Sequence, residues 1–120
     1  MLPSILTFTG KGVAAANNYH KFSALQGMTV VGASLCAASF TGSPTGFSVD
    51  LNDDGTALIA ALAANTAGTP GTWLSSATGG GNEPLTIARG SAVTVDVNFT
   101  GGSAPTADYT LVVWYYPAAD

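Results

Sequence analysis

Few side chains in this sequence can do covalent or acid–base chemistry. Among 120 residues there is one imidazole, His20, one thiol, Cys36, and seven carboxylates. Nucleophilic catalysis needs a nucleophile, a base and usually a group that orients the base, and a single histidine with no Gly-x-Ser-x-Gly elbow offers no such set. His20 alternates with Phe22 in Tyr19-His20-Lys21-Phe22, so it reads as a half-buried strand histidine before it reads as a general base or metal ligand. Cys36 has no partner for an intramolecular disulfide and sits in an Ala-rich run, where a small buried apolar residue is expected. The run Asp50-Leu51-Asn52-Asp53-Asp54-Gly55 matches the opening of a calcium loop, with oxygen donors at its first, third and fifth positions and then glycine. Its twelfth position is Ala61 where the bidentate Glu belongs, so a polar strand running into an Asp-Gly turn is the better reading.

Asp50 and Asp96 occupy matching places in Phe47-Ser48-Val49-Asp50-Leu51-Asn52 and Val93-Thr94-Val95-Asp96-Val97-Asn98. They become neighbours if those strands pair, and paired carboxylates are what glycoside hydrolysis uses. Both alternate with Ser, Thr and Asn opposite an apolar face, which marks a solvated sheet surface. Gly79-Gly80-Gly81 is followed by Asn82-Glu83 and lacks the Lys and Ser/Thr of a phosphate cradle. No catalytic residue, metal or cofactor is expected.

Composition narrows the classes further. Charged residues make up 8% of the chain, against about 25% in an ordinary soluble domain, and Ala, Gly, Ser and Thr make up half of it. Three basic residues, Lys11, Lys21 and Arg89, against seven acidic ones give a net charge of −4. That balance cannot supply the clustered cations a nucleic acid backbone requires. A hydrophobic fraction of 47% argues for a folded chain, while Gly, Pro, Asn or a charge interrupts every apolar run before it reaches membrane-spanning length. The start, Met1-Leu2-Pro3-Ser4-Ile5-Leu6, lacks the basic and apolar regions of a signal peptide, so export by that route is not expected.

The elements read as strands and turns. Ile5 to Thr9 is a β-branched and aromatic run closed by Gly10-Lys11-Gly12, Asn17-Asn18 mark a turn, and Tyr19 to Ala24 and Met28 to Ser39 follow as strands. Phe47, Val49 and Leu51 alternate with Ser48, Asp50 and Asn52 at period two. Thr56 to Ala64 is rich in helix formers, yet the tight Asp54-Gly55 turn favours an antiparallel return strand. Asn65 to Pro84 is loop by composition, broken by an edge strand at Trp73-Leu74. Leu85 to Ala88, Ala92 to Thr100 and Tyr109 to Tyr116 complete the set. In Ala92 to Thr100, Val93, Val95, Val97 and Phe99 point inward. The expectation is an all-β, single-domain antiparallel β-sandwich over residues 1–120, jelly-roll-like, with seven or eight strands.

The last strand carries the main surface signal. One face presents Tyr109, Leu111, Val113 and Tyr115, and the other Thr110, Val112, Trp114 and Tyr116, so both are apolar near the end of the chain. A strand of a small sandwich needs one apolar face. The second must be covered either by another subunit, the favoured reading, or by the Asn65–Pro84 segment with Trp73 as the covering side chain. Val112, Trp114 and Tyr116 are thus the candidate oligomer or shell interface.

The order of these pieces resembles a known group. Ile5-Leu6-Thr7-Phe8-Thr9, Tyr19-His20-Lys21-Phe22, Met28 to Leu35, and Gly42 to Thr56, closed by Leu85 to Val97 and Ala107 to Tyr116, is similar to small β-sandwich virion proteins of tailed bacteriophages. The resemblance spans Ile5 to Tyr116 and departs from the group's pattern between Thr66 and Pro84, which is richer here in Gly and Thr. It implies a structural virion component without enzymatic activity, of the capsid decoration or cement type. Such a protein forms a homo-oligomer, often a trimer, binds the major capsid protein on the capsid surface after assembly in the host cytoplasm, and engages neither nucleic acid nor membrane. The alternative is a carbohydrate- or receptor-binding module of a tail or head fibre, with Trp73, Trp114 or Tyr116 stacking on sugar rings and Asp50, Asn52 and Asp54 nearby, with or without calcium.

Overall fold

In a computed structural model, residues 3–76 and 79–118 are described, and they form nine strands in two antiparallel sheets. The strands are β1 (Ser4–Val13), β2 (Ala16–Ser23), β3 (Met28–Thr41), β4 (Gly46–Asp53), β5 (Thr56–Ala63), β6 (Gly71–Leu74), β7 (Leu85–Ile87), β8 (Ala92–Thr100) and β9 (Thr106–Pro117). The larger sheet has the order β1-β9-β3-β6, with β7 also on β3, and the smaller one the order β2-β8-β4-β5. The expected seven or eight strands become nine because β6 and β7 lie end to end along one edge of β3, at Gly32–Leu35 and Met28–Val30. They fill a single strand position. Pairing is nested: β1 with β9, β2 with β8, β3 with β6 and β7, and β4 with β5. Rolling up one long antiparallel hairpin produces this nesting.

Period-two alternation explains why the sheets pack. Leu35, Leu111 and Val113 from the larger sheet and Phe47, Val49, Val93, Val95 and Val97 from the smaller one are buried between the layers. Phe47 is the centrepiece, with its ring 5.5 Å from Phe40, 5.2 Å from Phe99 and 5.6 Å from Tyr109, centroid to centroid. Aromatic mass at this point offsets the small volume of the surrounding alanines and valines.

Local sequence accounts for the turns. Asp54 and Gly55 have φ of 48° and 85°, the two left-handed residues of a type I′ hairpin. That turn reverses the chain and draws the helix-prone Thr56 to Ala63 into β5, as expected. Two expectations need correcting. Asn17-Asn18 do not form a turn: they lie inside β2 as a bulge, with Asn18 left-handed at φ 55°. The first strand does not close at Gly10-Lys11-Gly12 but runs on to Val13 through a second bulge. Gly12, at φ 61°, and Asn18 tolerate the left-handed region, and here that tolerance serves a bulge in an edge strand.

Three such bulges share one device. The Gly12 N–H donates to Asp108 Oδ1 at 2.7 Å, the Asn18 N–H to Asp96 Oδ1 at 2.7 Å, and the Ala61 N–H to Asp50 Oδ1 at 2.6 Å. All three donors are left-handed residues on edge strands (β1, β2 and β5), and each aspartate lies on the neighbouring inner strand. A carboxylate thus satisfies an N–H that the bulge has pulled out of the ladder. Replacing Asp50 or Asp96 with Ala should cost about 1.5–3 kcal/mol each, the usual worth of a hydrogen bond to a charged group, read as a lowered urea midpoint. At Gly10, an added Cβ would fall 2.4 Å from Tyr109 Cε1, so Gly10→Ala should destabilise by about 1–3 kcal/mol in the same assay.

Candidate functional site

Most of the chemistry-bearing residues are placed apart from one another; two aspartates are not. Asp50 and Asp96 are direct cross-strand partners on β4 and β8, as their matching phrases suggest. Both oxygens of Asp50 are engaged, Oδ1 by the Ala61 N–H and Oδ2 by Asn98 Nδ2 at 3.2 Å, and Asp96 Oδ1 holds the Asn18 N–H. The calcium-loop residues do not converge either. Asn52 is buried and donates to Thr94 Oγ1 at 3.2 Å, while Asp54 Oδ1 accepts the Ala92 N–H at 2.8 Å. No cluster of three His, Cys, Asp or Glu side chains that could hold a metal ion occurs among the described residues.

His20 is half-buried on β2, facing inward as its alternation with Tyr19 and Lys21 suggests. Its Nε2 shares a 2.6 Å hydrogen bond with the Tyr109 hydroxyl of β9, so the contact ties one sheet to the other. Phe8 of β1 lies 5.1 Å from the imidazole and Tyr19 lies 4.8 Å away edge-on. Burial pushes the His20 pKa below its ordinary 6.5, because the charged imidazolium loses water within this aromatic pocket. Tyr109 is pushed up to about 12, first by burial and then by the nearby Tyr19. The pair holds the β1 and β2 side of the sandwich together.

The candidate interface is the outer face of the larger sheet. β9 splits as its alternation predicts: Tyr109, Leu111 and Val113 are buried in the core, whereas Val112, Trp114 and Tyr116 are half-buried on the outside. Register places Trp114 opposite Ile5 of β1 and Gly32 of β3, Val112 opposite Thr7 and Ser34, and Tyr116 opposite Thr29. The indole lies over Gly32, whose added Cβ would sit 3.2 Å from Trp114 Cε3 and 3.5 Å from Leu74 Cδ2. Pro3, Gly32, Leu74 and Trp114 line a shallow apolar notch there. Ile5 at 57% and Leu74 at 38% exposure extend the apolar surface. The outward positions named on β1, β3, β6 and β9 from Trp114 to Val112 carry no charge, whereas Lys21, Asp50 and Asp96 lie on the outer face of the smaller sheet.

One alternative and one expectation are overturned here. Trp73 does not cover this face. It packs against the core from the other side of β6, opposite Ala33, and its neighbour Leu74 takes the outward position because strand alternation sends adjacent residues to opposite faces. Cys36 is half-buried and not fully buried, since its pairing with Thr110 puts it on the outer face. Ile5, Gly32 and Leu74 were missed as members of this surface. Each strand's alternation was readable, but which residues of different strands share a patch depends on register.

No family model matches the sequence, and no curated protein does. Among solved structures, the chain is similar to one from the crystal structure of the T13 IBDV viral particle, with 20% identity and a TM-score of 0.36. The match covers 95% of this chain and 31% of that chain, so this protein spans about a third of its neighbour's length.

Folded His20 binds a proton less readily than unfolded His20, so the unfolded chain takes up the proton first as pH falls. Stability should therefore be complete above pH 6.5 and decline as pH drops through the ordinary histidine range toward the lowered folded value. Tyr109 acts at the other end, with stability lost as pH rises from 10 towards about 12. Urea midpoints across pH should show both slopes, and His20→Gln should flatten the acidic one.

Proposed function

We propose that this protein is a structural virion component, a capsid decoration protein that lays the outer face of its larger sheet, centred on Val112, Trp114 and Tyr116, against the shell. The observation that carries this reading is one end of that face: from Val112 to Tyr116 the outward positions of β9 and their partners on β1 and β3 are uncharged and partly apolar, with an indole half in water. Surfaces of this kind mark interaction sites, and Trp is among the residues that most often dominate interface energy. The nested pairing of β1 with β9 through β4 with β5 supports a jelly roll, an architecture shared by viral capsid and lectin domains.

The chemistry fits a scaffold. Asp50, Asp96 and Asp108 pin bulges and the histidine joins the sheets, while Lys21, Asp50 and Asp96 lie on the opposite sheet and Asp108 at the far end of β9 from Trp114. A protein that binds an assembled lattice and not its dissociated subunits stabilises the lattice by mass action. The sugar-binding alternative draws no support from the geometry, because Asp50 and Asn52 lie on the opposite sheet from Trp114 and Trp73 points into the core.

Cosedimentation with shells stripped of this protein tests the reading. The wild-type chain should bind and raise the temperature at which the shells break open. Trp114→Ala should weaken binding by at least about tenfold, as loss of a central anchor does, and Lys21→Ala on the opposite face should leave it unchanged. Absence of binding to the shells, or a Trp114→Ala variant that binds normally, would refute the assignment.

A further inference from the structure

The four sheet edges are treated unequally. An edge strand exposes unpaired N–H and C=O groups that invite another strand, and proteins close such edges with bulges, charges or very short strands. On the smaller sheet, β2 carries the Asn18 bulge and Lys21, and β5 carries the Ala61 bulge and a second irregularity near Leu51. On the far side of the larger sheet, the edge is split between four residues of β6 and three of β7. The remaining edge is β1. From Ser4 to Gly10 it pairs with β9 in unbroken register, and its bulge comes only beyond Gly10. That stretch, Ser-Ile-Leu-Thr-Phe-Thr-Gly, contains no charge and no proline.

We infer that β1 is a self-pairing edge: residues Ser4 to Gly10 of one chain add antiparallel to the same residues of a second copy, across a two-fold axis at Thr7, to join two larger sheets into one.

The sequence of β1 is complementary to itself in that register. Thr7 faces Thr7, Leu6 faces Phe8 and Ile5 faces Thr9. Because each pair joins residues of equal parity, inward side chains meet inward ones. Leu6 and Phe8 point at the core yet are only partly buried, since the sandwich is open beside β1. The partner's Phe8 and Leu6 would cover them. Net charge of −4 on each chain opposes self-association over long range, but the contact itself adds no like-charge penalty because Ser4 to Gly10 is uncharged; the pairing of Leu6 with Phe8 across the axis is what suits a second copy. The two outer faces then become continuous, with Ile5 joining Trp114 of the same chain to the seam.

The test uses isolated protein, so its outcome is independent of shell binding. Light scattering over a concentration series should show conversion to twice the chain mass of 11.9 kDa, where the decoration-type resemblance implies three times that mass. Thr7→Lys places two ammonium groups opposite each other at the axis and should weaken the dimer by at least about tenfold, with the urea midpoint of the monomer little changed at this exposed position. If that variant fails to fold, a second one decides. Facing residues of antiparallel strands lie about 4.5–5.5 Å apart between Cα atoms, within disulfide reach. In a Cys36→Ser background, Thr7→Cys should therefore cross-link under mild oxidation, while Lys21→Cys on β2 should not. A monomer at every concentration, a trimer, a dimer indifferent to Thr7→Lys, or a Thr7→Cys chain that links no better than Lys21→Cys would overturn the inference.

Discussion

The antiparallel ladder between β3 and β9 is the interaction on which the larger sheet depends. It runs from Met28 opposite Pro117 to Thr41 opposite Thr106, with two irregularities. With no disulfide and few charges, this chain relies on burial and backbone hydrogen bonding to specify its structure. The ladder's register decides which side of β9 meets the core. It sends Tyr109, Leu111 and Val113 inward to Phe47 and its neighbours, and leaves Val112 and Trp114 outside. The irregularity between Val30 and Gly32 brings a residue without a side chain opposite Trp114, which leaves room for the indole where a Cβ would come within 3.2 Å of Cε3.

A second constraint acts at the sheet margins. Two sheets that do not close into a barrel leave four edges, and the sandwich treats them with bulges, a lysine and short strands. Three of the seven acidic residues, Asp50, Asp96 and Asp108, each hold a bulge from the adjacent inner strand. Acidic side chains that suggested metal binding or hydrolysis as sequence motifs are thus engaged with backbone N–H groups. The same logic places His20: an imidazole hydrogen-bonded to Tyr109 across the layers is an internal tie, and its depressed basicity follows from the aromatic rings around it.

Much of the fold could be read from alternation. Phe47-Val49-Leu51 and Val93-Val95-Val97 face the core as their period-two pattern requires, and Asp54-Gly55 form the turn their backbone tolerance suggests. What alternation could not supply was the use made of left-handed residues. Asn17-Asn18 and Gly10-Lys11-Gly12 carry turn composition, yet the strands continue through them, because an aspartate from a distant strand compensates the disrupted ladder. Nothing near those residues in the chain reveals that aspartate.

The candidate surface divides in the same way. Val112, Trp114 and Tyr116 were recognisable because an amphipathic strand needs one apolar face and β9 has two, a property local to its own residues. That Ile5, Gly32 and Leu74 join them, that Trp73 turns away, and that Cys36 lies on the outer face were decided only by tertiary structure. The physical reason is that side-chain parity is written within each strand, whereas the register and order of strands come from backbone pairing between segments tens of residues apart.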